Sequence, residues 1–188
     1  MKLKSVLFCK KMALAEGGSA VRQNFAIEVE AALNKQINIE LYASYVYLSM
    51  ACYFDRDDVA LPKISKWLKK QSEEERGHAI GFMKYQNTRG GRIVLQNIQK
   101  PEKNDWGSAQ EAFEAALALE KFNNSALLEL HDVAASHDDA QMCDFIEDEY
   151  LRDQVRSIEE IGKFVTILKR AGRGLGEYMF DREHFDDD

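Results

Sequence analysis

The sequence feature that most constrains the fold is a pair of polar side chains inside an apolar helical stripe between Pro62 and Thr88. Apolar residues recur there at alternating steps of four and three, which is the spacing of one face of an α-helix. Glu75 and His78 lie on that face, where an unpaired charge is costly to bury. Because Glu-x-x-His places a carboxylate and an imidazole together on one face, the pattern suits a shared cation.

Local signals define four long helices and a short fifth helix. Ser108, followed three residues later by Glu111, predicts a capping box at the start of the third helix. Asp138-Asp139 ends that helix and caps the next one. The expected helices run from about 25 to 54, from 62 to 88, from 108 to 138, from 139 to 172 and from 175 to 184.

The connection from Gly90 to Gly107 is too long for a tight turn. It contains Ile93-Val94-Leu95, which is too short for a helix and is at most a lone extended segment. A connection of this length indicates a crossover along a bundle. The sequence therefore predicts an all-α fold, a four-helix bundle with one long crossover and a short fifth C-terminal helix.

Each of the four long helices loses its apolar pattern near mid-length. Antiparallel neighbours would bring these polar groups together, where three carboxylates repel each other and are costly to desolvate. No lysine or arginine lies on the inward stripes, so divalent cations would have to compensate. Carboxylates with one imidazole suit iron(II) better than thiolate sites would. The interrupting residues are Glu40, Glu75 with His78, Glu120 and Gln154.

Each of these residues also has a simpler interpretation. A single glutamate in a helix is usually a solvated surface residue. A lone Glu-x-x-His is usually accidental, and His78 alone could be a hydrogen-bonded core histidine. The coincidence of four helices interrupted at a compatible height favours a metal site.

Composition and charge limit the classes of function. The 188 residues are 45% hydrophobic and 30% charged, which fits one globular domain over 21–188. The net charge of −7 argues against nucleic-acid and anionic-membrane partners and favours cations. No stretch approaches the ~20 apolar residues of a membrane span.

Residues 1–20 form a basic extension ahead of the domain. Their apolar run is shorter than the ~7–15 residue core of a signal peptide, and a transit peptide is the alternative. The cysteines are odd in number and lack metal-finger spacing, so we expect reduced thiols and a cytoplasmic protein. These cysteines are Cys9, Cys52 and Cys143.

Five segments carry a resemblance to a known family. They are INIELYASYVYLSMACYFDRDDVAL, EEERGHA, NTRGGRIVLQNIQKPEKNDWGS, LLELHDVA and CDFIEDEYLRDQV. Together they resemble heavy-chain-type ferritin, from about Val21 to Phe180. The resemblance implies a hollow cage of twenty-four copies, in which iron(II) is oxidised by dioxygen and stored as a hydrated iron(III) oxide. Co-assembly with other ferritin subunits is compatible with it.

The same resemblance implies roles for the interrupting residues. Glu40, Glu75 and His78 match the ligands of the first ferroxidase iron. Glu75 would bridge to a second iron held with Glu120. Light chains lack this ligand set, so ferroxidase activity is implied. Three further side chains match residues around the centre, namely Tyr47, Glu74 and Gln154.

Asp144 and Glu147 lie three residues apart at the start of the fourth helix and have two interpretations. The simpler one is a favourable interaction with the helix dipole. By the resemblance, they line a threefold channel through which iron(II) enters, with His131 and Cys143 nearby. A symmetric ring would multiply each acid by three and make the channel strongly negative.

The chain departs from the heavy-chain pattern at a few positions. Gly77, Ile80 and Gly81 stand where heavy chains usually carry charged side chains, which puts the usual route from oxidation site to mineral in doubt. Glu73 could compensate. Glu183 falls where a histidine often lines a fourfold channel, and the sequence does not decide whether a glutamate ring there binds a cation.

Two rival functions remain open at this stage. A different di-iron carboxylate protein, such as a rubrerythrin-like peroxidase, would require a second Glu-x-x-His, and the fourth helix carries Gln154 instead. A light-chain-type shell subunit would mineralise iron without oxidising it.

Overall fold

The computed structural model describes residues 18–185, so nearly all of the extension expected at 1–20, and Cys9 with it, lies outside the described part. Within 18–185 the predicted all-α architecture is confirmed. The helices, in our numbering, are α1 (Ile27–Phe54), α2 (Pro62–Thr88), α3 (Ala109–Ser136), α4 (Ala140–Ile146), a π-helical segment (Glu147–Leu151), α5 (Arg152–Ala171) and α6 (Leu175–Glu183). The helices α4 and α5 with the π-helical segment form the fourth rod of the bundle.

The apolar core is divided into two clusters by a polar layer. On α1 the buried apolar residues change from one cluster to the other on either side of Glu40, and on α2 they change around Glu75. On the third and fourth rods the changes fall around Glu120 and Gln154. The Leu33 cluster is built around Leu33, Phe82, Leu127 and Ile146, and the Phe113 cluster around Phe54, Leu68, Phe113 and Ile161.

The order of the two clusters along each rod gives its direction. The helix α1 runs from the Leu33 cluster to the Phe113 cluster, α2 and α3 run the opposite way, and the fourth rod returns. Because α2 and α3 run in the same direction, the connection over 89–108 must cross the whole length of the bundle. The long crossover predicted from the sequence is therefore confirmed.

The crossover lies along α1, where buried Asn34 holds it. The Asn34 side-chain amide donates to the carbonyl oxygen of Arg92 at 3.0 Å and accepts from the backbone N–H of Val94 at 2.8 Å. Residues 93–95 are irregular rather than extended into a strand. An asparagine on the helix thus satisfies backbone groups of a long irregular connection.

The short terminal helix α6 caps two rods of the bundle. Leu61 offers no side-chain cap to α2, and Asp181 accepts a hydrogen bond from the backbone N–H of Ile64 at 2.8 Å instead. Glu177 accepts from the backbone N–H of Ala109 at the start of α3, also at 2.8 Å. Both contacts satisfy N–H groups that a helix leaves unpaired at its first turn.

The predicted caps are present at the ends of α3. Ser108 and Glu111 form the expected capping box, with the Ser108 side chain accepting from the Glu111 backbone N–H. Asp139 accepts from the backbone N–H of Met142 and so caps the fourth rod. The π-helical segment within that rod was not predicted, and it carries buried Tyr150.

The two glycines of α2 lie in different surroundings. A Cβ atom added to Gly81 would lie 2.6 Å from the hydroxyl oxygen of Tyr150, whereas a Cβ at Gly77 would meet no atom within 4 Å. Tyr150 is itself held, because its ring stacks on Phe82 at 3.9 Å between centroids and its hydroxyl donates to the carbonyl of His78. Gly81 therefore provides the space that Tyr150 occupies.

We predict opposite effects of alanine at the two glycines. Gly77→Ala should raise the free energy of unfolding by about 0.5–1 kcal/mol, because alanine favours the helix and meets open space. Gly81→Ala should lower it, because Tyr150 must move from its stacked position. Thermal unfolding of the two variants side by side measures the difference. Equal stabilisation by both substitutions would contradict a tight contact at Gly81.

Candidate metal centre

Glu40, Glu75 and His78 converge in the polar layer of the bundle. One possible ligand atom from each lies within 4.8 Å of the others, with both carboxylates buried and the imidazole half-buried. The Nδ1 atom of His78 lies 3.4 Å from a carboxylate oxygen of Glu75. The structure thus brings together three of the residues singled out in the sequence, from two different helices.

Glu120 and Gln154 extend this cluster from α3 and α5. The Glu120 carboxylate accepts hydrogen bonds from the Tyr47 hydroxyl and from the Gln154 side-chain amide. The same amide contacts the backbone carbonyl of Glu120 at 3.0 Å. Glu74 is exposed on α2, where it accepts from the Gln71 amide at 3.3 Å, and its charge acts on Tyr47, Glu75 and Glu120. Four rods therefore contribute side chains to one layer, as the interruptions in the sequence predict, and the role of Glu74 beside it stays a prediction.

Burial and mutual repulsion determine the protonation of the carboxyl groups. Burial raises the pKa of Glu40 well above its ordinary value, and the charge of Glu75 raises it further. Burial, followed by the charge of Glu120, raises the pKa of Glu75 to about 8. Burial also raises the pKa of Glu120. Without a cation, the layer therefore retains protons at neutral pH.

Tyr47 is the buried hydroxyl of the layer. Burial raises its pKa well above the ordinary value, and the charge of Glu120 raises it further. The phenol is therefore protonated at neutral pH and acts as a hydrogen-bond donor to Glu120. This donor orients one carboxylate of the centre without adding a charge.

Two amides beside Glu40 were not assigned a role by the sequence analysis. The Gln36 side-chain amide donates to a Glu40 carboxylate oxygen at 2.7 Å, and the Asn123 amide donates to the other oxygen at 2.9 Å. Both side chains are buried. Helical spacing could have indicated both amides. Gln36 lies one turn before Glu40 and Asn123 lies one turn after Glu120, so each amide is on the same helix face as a candidate ligand.

Tyr150 is a further neighbour of the centre that the sequence analysis did not identify. Its ring meets the His78 ring edge-on, with centroids 5.5 Å apart, and its hydroxyl donates to the His78 backbone carbonyl at 3.2 Å. The unpredicted π-helical segment places it there. The sequence predicts a continuous α-helix across this point instead.

Three of the residues expected at the threefold channel, His131, Cys143 and Glu147, lie together where the end of α3 meets the start of the fourth rod. The Nε2 atom of His131 is 2.7 Å from an exposed carboxylate oxygen of Glu147, and the Cys143 thiol lies 3.9 Å from the His131 carbonyl oxygen. Asp144 is exposed. Cys52 and Cys143 are free thiols. The channel itself requires neighbouring subunits, so its role stays a prediction.

Except for Gly81, which lies against Tyr150, the named departures from the heavy-chain pattern are on the surface of the chain. Glu73, Gly77, Ile80 and Glu183 are exposed. Gly77 and Ile80 leave no carboxylate at their positions, and Glu73 is available to water two residues before Glu75. Whether Glu73 carries iron towards a mineral, and whether Glu183 binds a cation, stay predictions.

The fold and the polar layer define a class of protein, a four-helix bundle with a buried carboxylate and imidazole centre suited to divalent cations. A family model described as Ferritin-like domain matches residues 30–171. Soma ferritin of Lymnaea stagnalis is 61% identical over 165 residues, covering 88% of this chain and 95% of that protein. The ferritin middle subunit of Aquarana catesbeiana is 56% identical over 167 residues, covering 87% of this chain and 95% of that subunit.

The chain therefore belongs to the ferritin family of iron-storage proteins. The predicted resemblance to ferritin is confirmed at the level of the family, and the predicted ferritin-like bundle is confirmed with it. In residues 18–185, no helix is both long enough and apolar enough to cross a membrane.

The raised carboxyl pKa values predict a pH-dependent stability of the metal-free protein. The folded Glu75 pKa of about 8 lies above the ordinary value of 4.5, so the folded chain holds a proton that the unfolded chain has lost. The stabilising contribution is complete below pH 4.5 and is lost as the pH rises through about 8. The melting temperature of the metal-free protein should therefore fall over this range.

Cation binding should show the opposite dependence on pH, because a cation displaces the protons of the layer. The rise in melting temperature on addition of Zn²⁺, a redox-inert probe, should grow between about pH 5 and 8. Glutamine cannot ionise, so Glu75→Gln should reduce the pH dependence of the metal-free melting temperature and that of the rise caused by Zn²⁺. If Glu75→Gln retained the pH profile of the wild type, another group would be responsible.

Proposed function

We propose that this chain is a ferroxidase subunit of the heavy-chain type, which oxidises iron(II) with dioxygen and passes iron(III) to a stored hydrated oxide. The observation that supports this most directly is the convergence of Glu40, Glu75 and His78 within 4.8 Å in the buried layer. The Glu40 carboxylate is bonded by two neutral amides, and Glu75 contacts the His78 imidazole. Such a cluster has the charge and the ligand types that bind iron(II).

Iron(II) acts in this proposal as the substrate. The first ion binds between Glu40, Glu75 and His78, and the second binds between Glu75 and Glu120. Binding releases the protons that these carboxyl groups hold in the metal-free protein. Each pair of iron(II) ions then gives two electrons to one dioxygen molecule, which takes up two protons and leaves as hydrogen peroxide.

Tyr47 and Gln154 support the second position. The buried phenol and the side-chain amide both donate to the Glu120 carboxylate and so hold it in one orientation. Gln154 is neutral, so it adds no negative charge to the second iron. A weakly held product ion can leave for the mineral, whereas a second carboxylate would retain it.

Gln154 also distinguishes this proposal from the peroxidase alternative. A rubrerythrin-like enzyme would place a second Glu-x-x-His on the fourth rod, and the buried position there is occupied by Gln154. A light-chain-type subunit would lack the cluster of Glu40, Glu75 and His78. Both rivals therefore fit the polar layer less well than a ferroxidase does.

An exposed apolar patch supports assembly into a closed cage. Tyr45 and Leu48 on α1 are exposed, and so are Val94, Leu95 and Ile98 on the crossover that lies along α1. We infer that they form one apolar surface, because the two elements are neighbours, and a partner usually covers such a surface. A second copy of the chain is the proposed partner, within a cage of twenty-four.

Oxygen consumption tests the oxidase proposal. Iron(II) added to the metal-free protein should cause rapid uptake near two irons per dioxygen. Glu75→Lys combined with His78→Gly removes a bridging ligand and the imidazole, and should slow the initial rate by about tenfold or more, since even outer ligands contribute 10–100-fold.

A charge-matched control keeps this result specific. Glu28→Lys makes the same change of charge as Glu75→Lys at an exposed position whose partner is His137, and it should retain the fast phase. Uptake at the background rate by the wild type would favour the light-chain-type alternative.

Native light scattering tests the cage proposal. The wild type should give a particle of about twenty-four chains, and Leu95→Arg should shift it towards smaller species because a charge in the apolar patch must be desolvated on assembly. A wild-type monomer or dimer would leave no cavity for a mineral and would contradict the proposal.

A further inference from the structure

Glu40 belongs to a closed ring of hydrogen bonds with two neutral amides. Gln36 donates from Nε2 to one Glu40 oxygen at 2.7 Å and to Oδ1 of Asn123 at 2.7 Å. Asn123 donates from Nδ2 to the other Glu40 oxygen at 2.9 Å. The ring joins two side chains of α1 to one of α3, and no ligand role accounts for either amide.

The ring has one self-consistent arrangement. If the Asn123 amide were reversed, its oxygen would face the Glu40 carboxylate and its NH₂ group would face that of Gln36. All three side chains are at most 2% exposed, so water does not compete with these contacts. The burial and the pairing of donors with acceptors therefore fix the orientation of the carboxylate.

The ring also compensates the charged form of a buried carboxylate. Hydrogen bonds from neutral amides to an ionised oxygen are stronger than bonds between neutral groups. Each carboxylate oxygen has two lone pairs, so one bond to each leaves capacity for a cation. Glu40 is thus held in one orientation before any cation arrives.

Glu75 offers a contrast within the same centre. Its carboxyl group shares a hydrogen bond with that of Glu40 and lies 3.4 Å from the Nδ1 atom of His78, which is long for a hydrogen bond. Glu40 is held at both oxygens by neutral amides, whereas the partners of Glu75 are two other candidate ligands, Glu40 and His78. This difference suits a fixed ligand for the first cation beside a bridging ligand that adjusts when the second cation binds.

We propose that Asn123, acting with Gln36, is a positioning residue that holds Glu40 ready for the first cation. Its role is exerted through Glu40 and not by contact with the metal. The inference rests on the proposed function for its place in the reaction, but cation affinity tests it independently of oxidation.

Asn123→Leu tests this role, because leucine has a similar volume and cannot donate to Glu40. Calorimetry with Co²⁺ on the assembled, metal-free protein should show affinity at the centre weakened by about 10–100-fold, as expected for loss of an outer partner of a ligand. The visible Co²⁺ spectrum should change with it. In iron oxidation, KM should rise more than kcat falls.

Asn34→Leu is the matched control, since it removes a buried side-chain amide that holds the crossover far from the carboxylates. It should lower thermal stability and leave Co²⁺ affinity at the centre unchanged. Asn123→Asp keeps an acceptor for Gln36 but repels Glu40, and it should weaken Co²⁺ binding at least as much as Asn123→Leu does.

A double-mutant cycle decides whether Asn123 acts through Glu40. In a Glu40→Ala background, Asn123→Leu should cause no further loss of Co²⁺ affinity. The proposal is overturned if Asn123→Leu still lowers Co²⁺ affinity in the Glu40→Ala background. It is also overturned if Asn34→Leu lowers Co²⁺ affinity equally, or if Asn123→Leu binds Co²⁺ like the wild type. Absence of rapid oxygen uptake by the wild type would instead remove the ferroxidase proposal, and the Co²⁺ comparison would still report on the ring.

Discussion

Burial of several carboxyl groups at one level of the bundle is the constraint on which the rest of this structure depends. Glu40, Glu75 and Glu120 lie between two apolar clusters, where charge is expensive and neighbouring charges repel. Neutral hydrogen-bond donors and retained protons reduce the cost of burying these carboxyl groups, and the cluster could hold a cation. A bundle without cation binding would gain stability from apolar residues at these positions, so the layer indicates function rather than folding.

The topology follows from keeping that layer at one height. The helices α2 and α3 run in the same direction, so the chain needs a crossover along the bundle, and Asn34 fastens it to α1. The terminal helix α6 then caps α2 and α3 through Asp181 and Glu177. These contacts set the axial positions of the rods, and a slip of one turn would move a carboxylate out of the layer by about 5.4 Å.

The surroundings of the centre differ from one ligand to the next. Two amides hold Glu40. Tyr47 and Gln154 hold Glu120, whereas Glu75 contacts two other candidate ligands, Glu40 and His78. Tyr150 fits beside His78 because Gly81 has no side chain. A centre with both fixed and adjustable ligands is suited to taking up ions and releasing them, which is what an iron-storage protein requires of a substrate.

The sequence by itself determined the features that depend on near neighbours in the chain. Helical spacing predicted α2 at Pro62–Thr88, the Ser108 capping box and the four interrupted stripes, because periodicity and caps act within a few residues. Only the tertiary structure decided the ring around Glu40, the cap of α2 by Asp181 and the contact of Tyr150 with Gly81. Each of these joins residues more than 60 positions apart, and no local pattern encodes such a pairing.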